Sequence, residues 1–486
     1  MAWWWRYRFG AHRRSCLWLG LAVLCLVLGA GCGGLCWRRL PPGVYVQGAV
    51  QPVSAIRFLN DQTYVDAAGV RQSEQRLFEE IFGLIGAARS YVIADMFLFN
   101  AWTGEASAFR PLSAEFTEAL VAKRRVCPEC TVVLITDPIN TAYGGVVSPH
   151  LERLRAAGVV VVETDLDRLR DSNAVYSAFW RVLARPFGNA PGGILPNPFD
   201  GGRVTLRTYL RLLNFKANHR KLVIADPGGV PTALVTSANP HDGSSAHSNS
   251  GVLFSGPAAL ELLGIELAVA AFSGVSVDLA VPAVSWPAPA LPVTVQVVTE
   301  RCILEAVLGA LAAARPGDEV DLVMFYLSHR GIIEALQAAW RRGVRVRVVL
   351  DPNKDAFGRE KGGMPNRQAA RDLHRAGVPV RWYDTHGEQC HTKMLLVRSA
   401  DGAGELHLGS ANYTRRNLEN LNLETNVVVR GPAASAVFID ARDSVEAIWN
   451  NTGGRHCTVD YEHYRDHAWL KYWRYRFMEA SGLSTF

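Results

Sequence analysis

The chain has 486 residues, 49% hydrophobic and 20% charged, long enough for two or more domains and too apolar for a disordered polymer. Its formal charge of +6 sits in the first 39 residues, where Arg6, Arg8, Arg13, Arg14, Arg38 and Arg39 meet no acidic residue; removing these six from 51 basic residues leaves 45, against 45 acidic ones. A body neutral in sum argues against a surface built to hold polyanionic nucleic acid.

Between Arg14 and Arg38 runs an uncharged stretch, SCLWLGLAVLCLVLGAGCGGLCW. At ~1.5 Å per residue it covers a hydrocarbon core of ~30 Å, so residues 15–37 are predicted to form a transmembrane helix. More arginine precedes it than follows it, which keeps the N-terminus in the cytoplasm. The remainder then lies on the periplasmic, extracytoplasmic side of an inner membrane, as a single-pass protein. A cleaved signal peptide (a secreted form) and a lipoprotein signal ending at Cys32 are the alternatives, although Gly29-Ala30-Gly31 lacks the expected large aliphatic residue. The exported part keeps Cys127, Cys130, Cys302, Cys390 and Cys457, an odd number that makes no complete disulfide framework. Cys127 and Cys130 read as a local disulfide or two spare thiols, since no second pair completes a zinc tetrad.

Two stretches of the remainder read alike. A helical pattern, EQRLFEEIFGLIGAARS, leads to a strand ending Met96-Phe97-Leu98-Phe99; ERCILEAVLGALAAARPGD leads to one ending Met324-Phe325-Tyr326-Leu327. Each half continues with a helix, a strand stopping at Asp-Pro (Asp137-Pro138, Asp351-Pro352), another helix and an Ala-Gly-Val strand start. Strands alternating with helices predict a mixed, largely parallel sheet covered by helices on both faces. The expected division is 1–40 N-terminus and anchor, 41–72 linker, 73–272 first half, 273–296 connector, 297–455 second half and 456–486 aromatic and basic tail. The first half carries an insertion at 165–214, a length that suits a lid or binding loop or an ordinary surface excursion.

Chemistry concentrates where the halves repeat. In ANHRKLVIAD, His219 and Lys221 are two apart at the head of an apolar run; in QCHTKMLLV, His391 and Lys393 repeat this. Strand periodicity turns each His and Lys to one side, which packing alone does not explain. Ser237-Ala238-Asn239 and Ser410-Ala411-Asn412 follow on loops at strand ends, where amides and backbone N–H groups hold an anion. Such a set suits phosphoryl transfer, with one imidazole attacking phosphorus and the other giving its proton to the leaving oxygen. The lysines and asparagines would stabilise charge on the non-bridging oxygens. The mechanism asks for no metal and no cofactor.

The patterns HRKLVIAD…TSAN and HTKMLLV…GSANYTRRNLENLNLETN resemble the phospholipase D superfamily, cardiolipin synthases included, over about residues 74 to 450. The resemblance implies an α/β fold of two α/β/α sandwich halves related by a pseudo-twofold, here with an N-terminal transmembrane helix added. It implies His219 as nucleophile, His391 as acid and base, Lys221 and Lys393 as phosphate ligands and Asn239 and Asn412 as their helpers. Ser237, Ser410 and Asn249 are expected to bind the substrate, and Asp226 to be structural. Glu424 stands where the family places a carboxylate that orients a catalytic His, and Asn249 stands at the matching place in the first half. That inequality leaves open which His is the nucleophile. Two further departures are Arg398 at the place of Asp226, and Thr236 at the place of Gly409.

The resulting expectation is a membrane-anchored phospholipid phosphodiesterase or phosphatidyltransferase. Its partners are a phospholipid, the membrane surface, and water or an alcohol as acceptor. The tail, YEHYRDHAWLKYWRYRFMEA, suits a helix at a headgroup interface or one packed by its aromatic face. A tethered nuclease using the same motifs is the alternative, and a non-catalytic binding protein of the same fold a third.

Overall fold

In the Lys221–Pro227 strand, Leu222 and Ile224 face one core and Val223 and Ala225 another, all fully buried. A strand apolar on both faces belongs in the middle of a layered fold. The computed structural model describes residues 18–26, 29, 39–104, 109–199, 201–279, 291–356, 359–481, 484 and 486. It holds two nine-stranded sheets. One runs Arg455–His456, Ala55–Asp66, Asn249–Ser255, Thr232–Thr236, Lys221–Pro227, Ala88–Met96, Thr131–Thr136, Val160–Glu163, with Arg71–Glu74 paired to Ala55–Asp66. The other runs Gln51–Pro52, Thr294–Thr299, Thr425–Pro432, Ala403–Gly409, Lys393–Arg398, Glu319–Met324, Arg345–Leu350, Val380–Tyr383, Thr458–Asp460.

The inner faces of the two sheets share a single core, in which Ile93, Leu222 and Val252 join Val297, Met394 and Val427. The Pro257–Phe272 and Ala436–Asn450 helices contribute to it. The outer face of the first sheet packs on Leu77–Ala87, Leu112–Val126 and Pro149–Ala156, and that of the second on Arg301–Ala313, Arg330–Arg341 and Asn366–Arg375.

Several expectations need correction. The sheets are mixed, but among the described residues antiparallel strand pairs outnumber parallel ones. Crossover helices separate only the strands after Ala88–Met96 and Glu319–Met324, whereas the strands carrying the motifs turn back through short connections, and short connections make antiparallel neighbours. Residues 41–72 are no linker: Ala55–Asp66 is an interior strand and Gln51–Pro52 pairs with Thr294–Thr299. Its polar residues hid it, because Asp61 accepts from the N–H groups of Arg76 and Leu77 while Thr63 N–H donates to Ser248 Oγ. The tail beyond 456 contains the edge strand Thr458–Asp460 and the Trp469–Ser481 helix. That helix docks through buried Tyr475, whose hydroxyl donates to Ser328 O, and leaves Trp469, Leu470, Trp473 and Phe477 exposed.

Of the predicted anchor, residues 18–26 and 29 are helical and the rest, Cys32 included, lies outside the described residues; among the described residues no helix is long and apolar enough to cross a membrane. The structure thus lends the expected transmembrane helix no support. Residues 280–290 of the connector also lie outside the described residues. Cys127 and Cys130 are free thiols.

The halves are joined by reciprocal backbone bonds. His219 N–H donates to Leu423 O at 2.9 Å and Leu423 N–H to Ala217 O at 3.0 Å; His391 N–H donates to Ser248 O at 2.8 Å and Ser248 N–H to Gln389 O at 3.0 Å. Arg220 adds an ionic joint between them. Fully buried, it reaches Glu266 at 2.9 Å and Glu300 at 2.8 Å, while its Nη2 also donates to Val44 O at 3.2 Å. Arg220→Ala would strand two buried carboxylates, and the expected cost is about 3–5 kcal/mol of stability, read by denaturant unfolding of the detergent-solubilised chain. A loss below about 1 kcal/mol would show the joint to be dispensable.

Candidate active site

The Lys221–Pro227 and Lys393–Arg398 strands each open on a lysine, with the histidine two residues earlier. Lys221 lies opposite Met96 and Lys393 opposite Met324, so the two pairs occupy matching places. Each ammonium donates to the carbonyl of its own histidine, Lys221 to His219 O at 2.6 Å and Lys393 to His391 O at 2.8 Å. Phe97 and Phe325, the residues after the paired strands, set their rings 4.7 and 4.9 Å from the imidazoles of His219 and His391.

The groups expected to orient the imidazoles reach them across the interface. Glu424 Oε1 is 2.8 Å from Nδ1 of His219, and Asn249 Oδ1 is 3.2 Å from Nδ1 of His391. Ser410 Oγ donates to Glu424, and Ser237 Oγ to Asn249 Oδ1 at 3.0 Å. With Nδ1 engaged, Nε2 is the atom each ring has left for chemistry. Both rings line one cavity of about 410 Å³, together with Asn412, Gln389 and the apolar side chains Leu98, Trp102, Ile139, Pro198 and Phe199.

A family model described as cardiolipin synthase, phospholipase D-like domain, matches residues 307–446, which include His391, Lys393, Asn412 and Glu424. The chain is 31% identical to human mitochondrial cardiolipin hydrolase over 146 residues, 30% of this chain and 50% of that one. It is 30% identical to the mouse protein of that name over 146 residues, 30% of this chain and 58% of that one. The chain thus spans about half the length of the curated relatives it matches. Residues 307–446 thus carry a phospholipase D-like domain. Its fold is also similar to the crystal structure of phosphatidylserine synthase from Haemophilus influenzae Rd KW20, with a TM-score of 0.52 and 10% identity over 90% of this chain and 92% of that one.

The departures from the phospholipase D pattern have structural explanations. Asp226 accepts from the N–H groups of Arg89, Ser90 and Tyr91, tying down the start of its neighbouring strand. At the matching place Arg398 clamps the start of Glu319–Met324 by charge, through Glu319 and, at 3.4 Å, Asp321. Gly409 is needed because a Cβ there would lie 2.3 Å from Thr425 O. Thr236 is tolerated because its cross-strand partner is Gly251. Thr236 Oγ1 accepts from Ala238 N–H at 3.1 Å, and Asn426 Oδ1 does the same for Ala411 N–H at 3.1 Å in the other half.

Burial dominates the electrostatics. It pushes His219 down to about 4, against the opposing pull of Glu424, and Lys221 down to about 7. His391 is driven well below its ordinary value by burial and then by Lys393, and it has no carboxylate to offset this. Lys393 is lowered by burial and Lys221. Glu424 resists burial because His219 and Lys221 hold it ionised. Four groups that would carry positive charge thus surround one carboxylate, an arrangement an anion relieves.

Of the predicted residues, His219, His391 and Asn412 form cavity wall and Glu424 holds the His219 ring from behind; Ser237, Ser410 and Asn249, expected to bind substrate, instead lie behind the rings, because Ser237 bonds Asn249, Ser410 bonds Glu424 and Asn249 holds His391. Lys221 and Lys393 are buried against the histidine carbonyls, and Asn239 Oδ1 accepts from Leu98 N–H at 3.1 Å. Sequence reasoning gave no role to the paired Asp-Pro steps. Asp137 Oδ2 accepts from Asn218 N–H at 2.7 Å and Asp351 Oδ2 from Cys390 N–H at 2.8 Å, so each aspartate fixes the residue before a histidine. Their repetition was the available signal. His247, with its ring 5.9 Å from that of His391, gave none.

Asn249→Asp would set a carboxylate beside His391 and raise its pKa by about 1–2 units. Neutral imidazole alone reacts with diethylpyrocarbonate, so carbethoxylation of His391, followed by mass spectrometry, is expected to fade at a higher pH in the variant than in the parent. An unchanged profile would mean that residue 249 does not control the ring.

Proposed function

We propose that the protein cleaves a phosphodiester bond of a phospholipid through a phosphohistidine and passes the phosphatidyl group to water or to an alcohol. The observation that carries this reading is the placing of two imidazoles on one cavity, one held by a carboxylate and one by an amide. In the first step Nε2 of His219 bonds to phosphorus as the bond to the leaving alcohol oxygen breaks. The ring becomes cationic, and Glu424 already stands where that charge develops. His391, in its protonated form, gives its proton to the departing oxygen. An amide at Nδ1 adds no charge to hold that proton back, and the diester's own negative charge favours the protonated ring on binding. In the second step the incoming water or alcohol gives its proton to His391 while its oxygen takes phosphorus, and the P–N bond breaks. Lys221 and Lys393 supply positive potential, and Asn412 and Asn239 amide groups, to the non-bridging oxygens.

The apolar wall formed by Leu98, Trp102, Pro198 and Phe199 supports a lipid in preference to a polynucleotide. So do the neutral charge sum of the body and the lipid substrates named for the relatives. The same reading tethers the chain through residues 15–37, with the body beside the outer face of an inner membrane. The composition of that segment and the arginine excess before it support this placement. The exposed Trp469, Leu470, Trp473 and Phe477 suit contact with a headgroup layer.

Detergent-solubilised full-length protein would be given labelled phosphatidylglycerol and a single-stranded oligonucleotide in parallel. The lipid is expected to be turned over, and both His219→Asn and His391→Asn to lose at least about 1,000-fold in rate. An acid-labile, base-stable phosphoenzyme is expected in the parent and absent from His219→Asn. Cleavage of the oligonucleotide alone would overturn the lipid reading, and activity surviving both substitutions would overturn the mechanism.

A further inference from the structure

The cavity differs at its two ends. Leu98, which follows the Phe97 that packs on His219, lies in an apolar wall with Pro198, Trp102 and Phe199, the last two stacked with centroids 5.4 Å apart. At the other end the ring of Tyr326 is 4.1 Å from that of Phe325, which packs on His391. There the wall is cationic. Lys361 Nζ donates to Tyr326 Oη at 2.8 Å and lies 5.7 Å from the Phe325 centroid. Arg416 lies between the halves: it stacks 4.9 Å over Phe215 of the first, its Nη2 donates to Ser484 Oγ at 3.3 Å, and it interacts electrostatically with Tyr326, the partner of Lys361. Both side chains line the same cavity as the two histidines.

Neither cation has a carboxylate within ion-pair distance among the described residues, whereas the adjacent Arg415 reaches Glu419 at 3.3 Å. Burial holds Arg416 down to about 10, well below an ordinary guanidinium. Glu479 acts on Arg416 only from beyond ion-pair distance, and a cation kept in a cavity wall without a close counter-ion costs free energy that packing does not return, so its close partner is to be sought in a ligand. No step of the phosphohistidine cycle uses either residue.

The direction of the chemistry says which part of the ligand this is. Displacement at phosphorus sets the attacking and leaving atoms roughly in line. With His219 attacking from the apolar end, the leaving oxygen lies toward His391 and the cationic end. We infer that Lys361 and Arg416 form a second anion site, which holds a phosphate or carboxylate carried by the leaving alcohol while the diacylglycerol part stays against Leu98, Trp102 and Phe199. This rests on the phosphohistidine reading with His219 as nucleophile. By microscopic reversibility, an acceptor alcohol bearing such a group is held in the same place.

The test compares two short-chain lipids that differ only in the leaving alcohol: dioctanoyl phosphatidylglycerol phosphate and dioctanoyl phosphatidylglycerol, with the detergent-solubilised full chain. The parent is expected to prefer the first in kcat/KM. That preference is expected to fall by roughly tenfold or more in Lys361→Gln and in Arg416→Gln, through KM, and to recover in Lys361→Arg. Because the readout is a ratio of two substrates, partial misfolding cancels. A parent without the preference, or variants that keep it, would overturn the site. Inhibition of bis(4-nitrophenyl) phosphate turnover by glycerol 3-phosphate separates this failure from that of the lipid reading. A weaker inhibition in both variants supports the anion site even if neither lipid is cleaved, and equal inhibition in parent and variants removes the site.

Discussion

Two short backbone exchanges bring the imidazoles together. Ala217 and His219 bond to Leu423, and Gln389 and His391 bond to Ser248, so each histidine is fastened to the residue just before the group of the other half that orients its own ring. Glu424 follows Leu423, and Asn249 follows Ser248. Backbone and side-chain contacts therefore form together or not at all, and neither half contains a complete pair of ring and orienter. Asp137 and Asp351 fix the same segments from the other side, through Asn218 and Cys390. Arg220 closes the joint in the core, where its charge is matched by one carboxylate from each half.

The repeat makes the two sides alike, and its exceptions would give the proposed reaction a direction. His219 faces a carboxylate, and His391 faces an amide with Lys361 beside the Phe325 ring that packs on it. In a low-dielectric site such differences decide which ring tolerates a developing positive charge. A symmetric pair would present the phosphorus atom to two equal nucleophiles. In the proposed mechanism the ring that gains charge during attack is the one with Glu424 behind it.

Much of this was legible in the sequence because the chemistry sits at strand starts, where a period of two fixes the facing of His219 with Lys221 and of His391 with Lys393. The pairing of Asn249 with a histidine was legible from its offset relative to Glu424. The strand at 55–66 was not, since buried Asp61, Gln62 and Thr63 broke the apolar alternation and find their partners outside the strand, in Ser73, Arg76 and Leu77 and, farther along the chain, in Ala246, Ser248, Ser444 and Arg455. The sheet direction is hidden in the sequence for a related reason. Helix-strand alternation covers only part of each half, and the motif strands turn back on themselves. Arg220 was visible inside the HRK motif, but its carboxylates at 266 and 300 could be matched to it only in three dimensions.

The central claim is that one phosphorus atom sits between two imidazoles. A crystal of the full chain soaked with orthovanadate would show this directly. The account requires vanadium bonded to Nε2 of His219, with the opposite apical oxygen within hydrogen-bonding distance of His391 Nε2 and Glu424 still on Nδ1 of His219. Vanadate bound to one ring while the other turns into a separate cavity would contradict it.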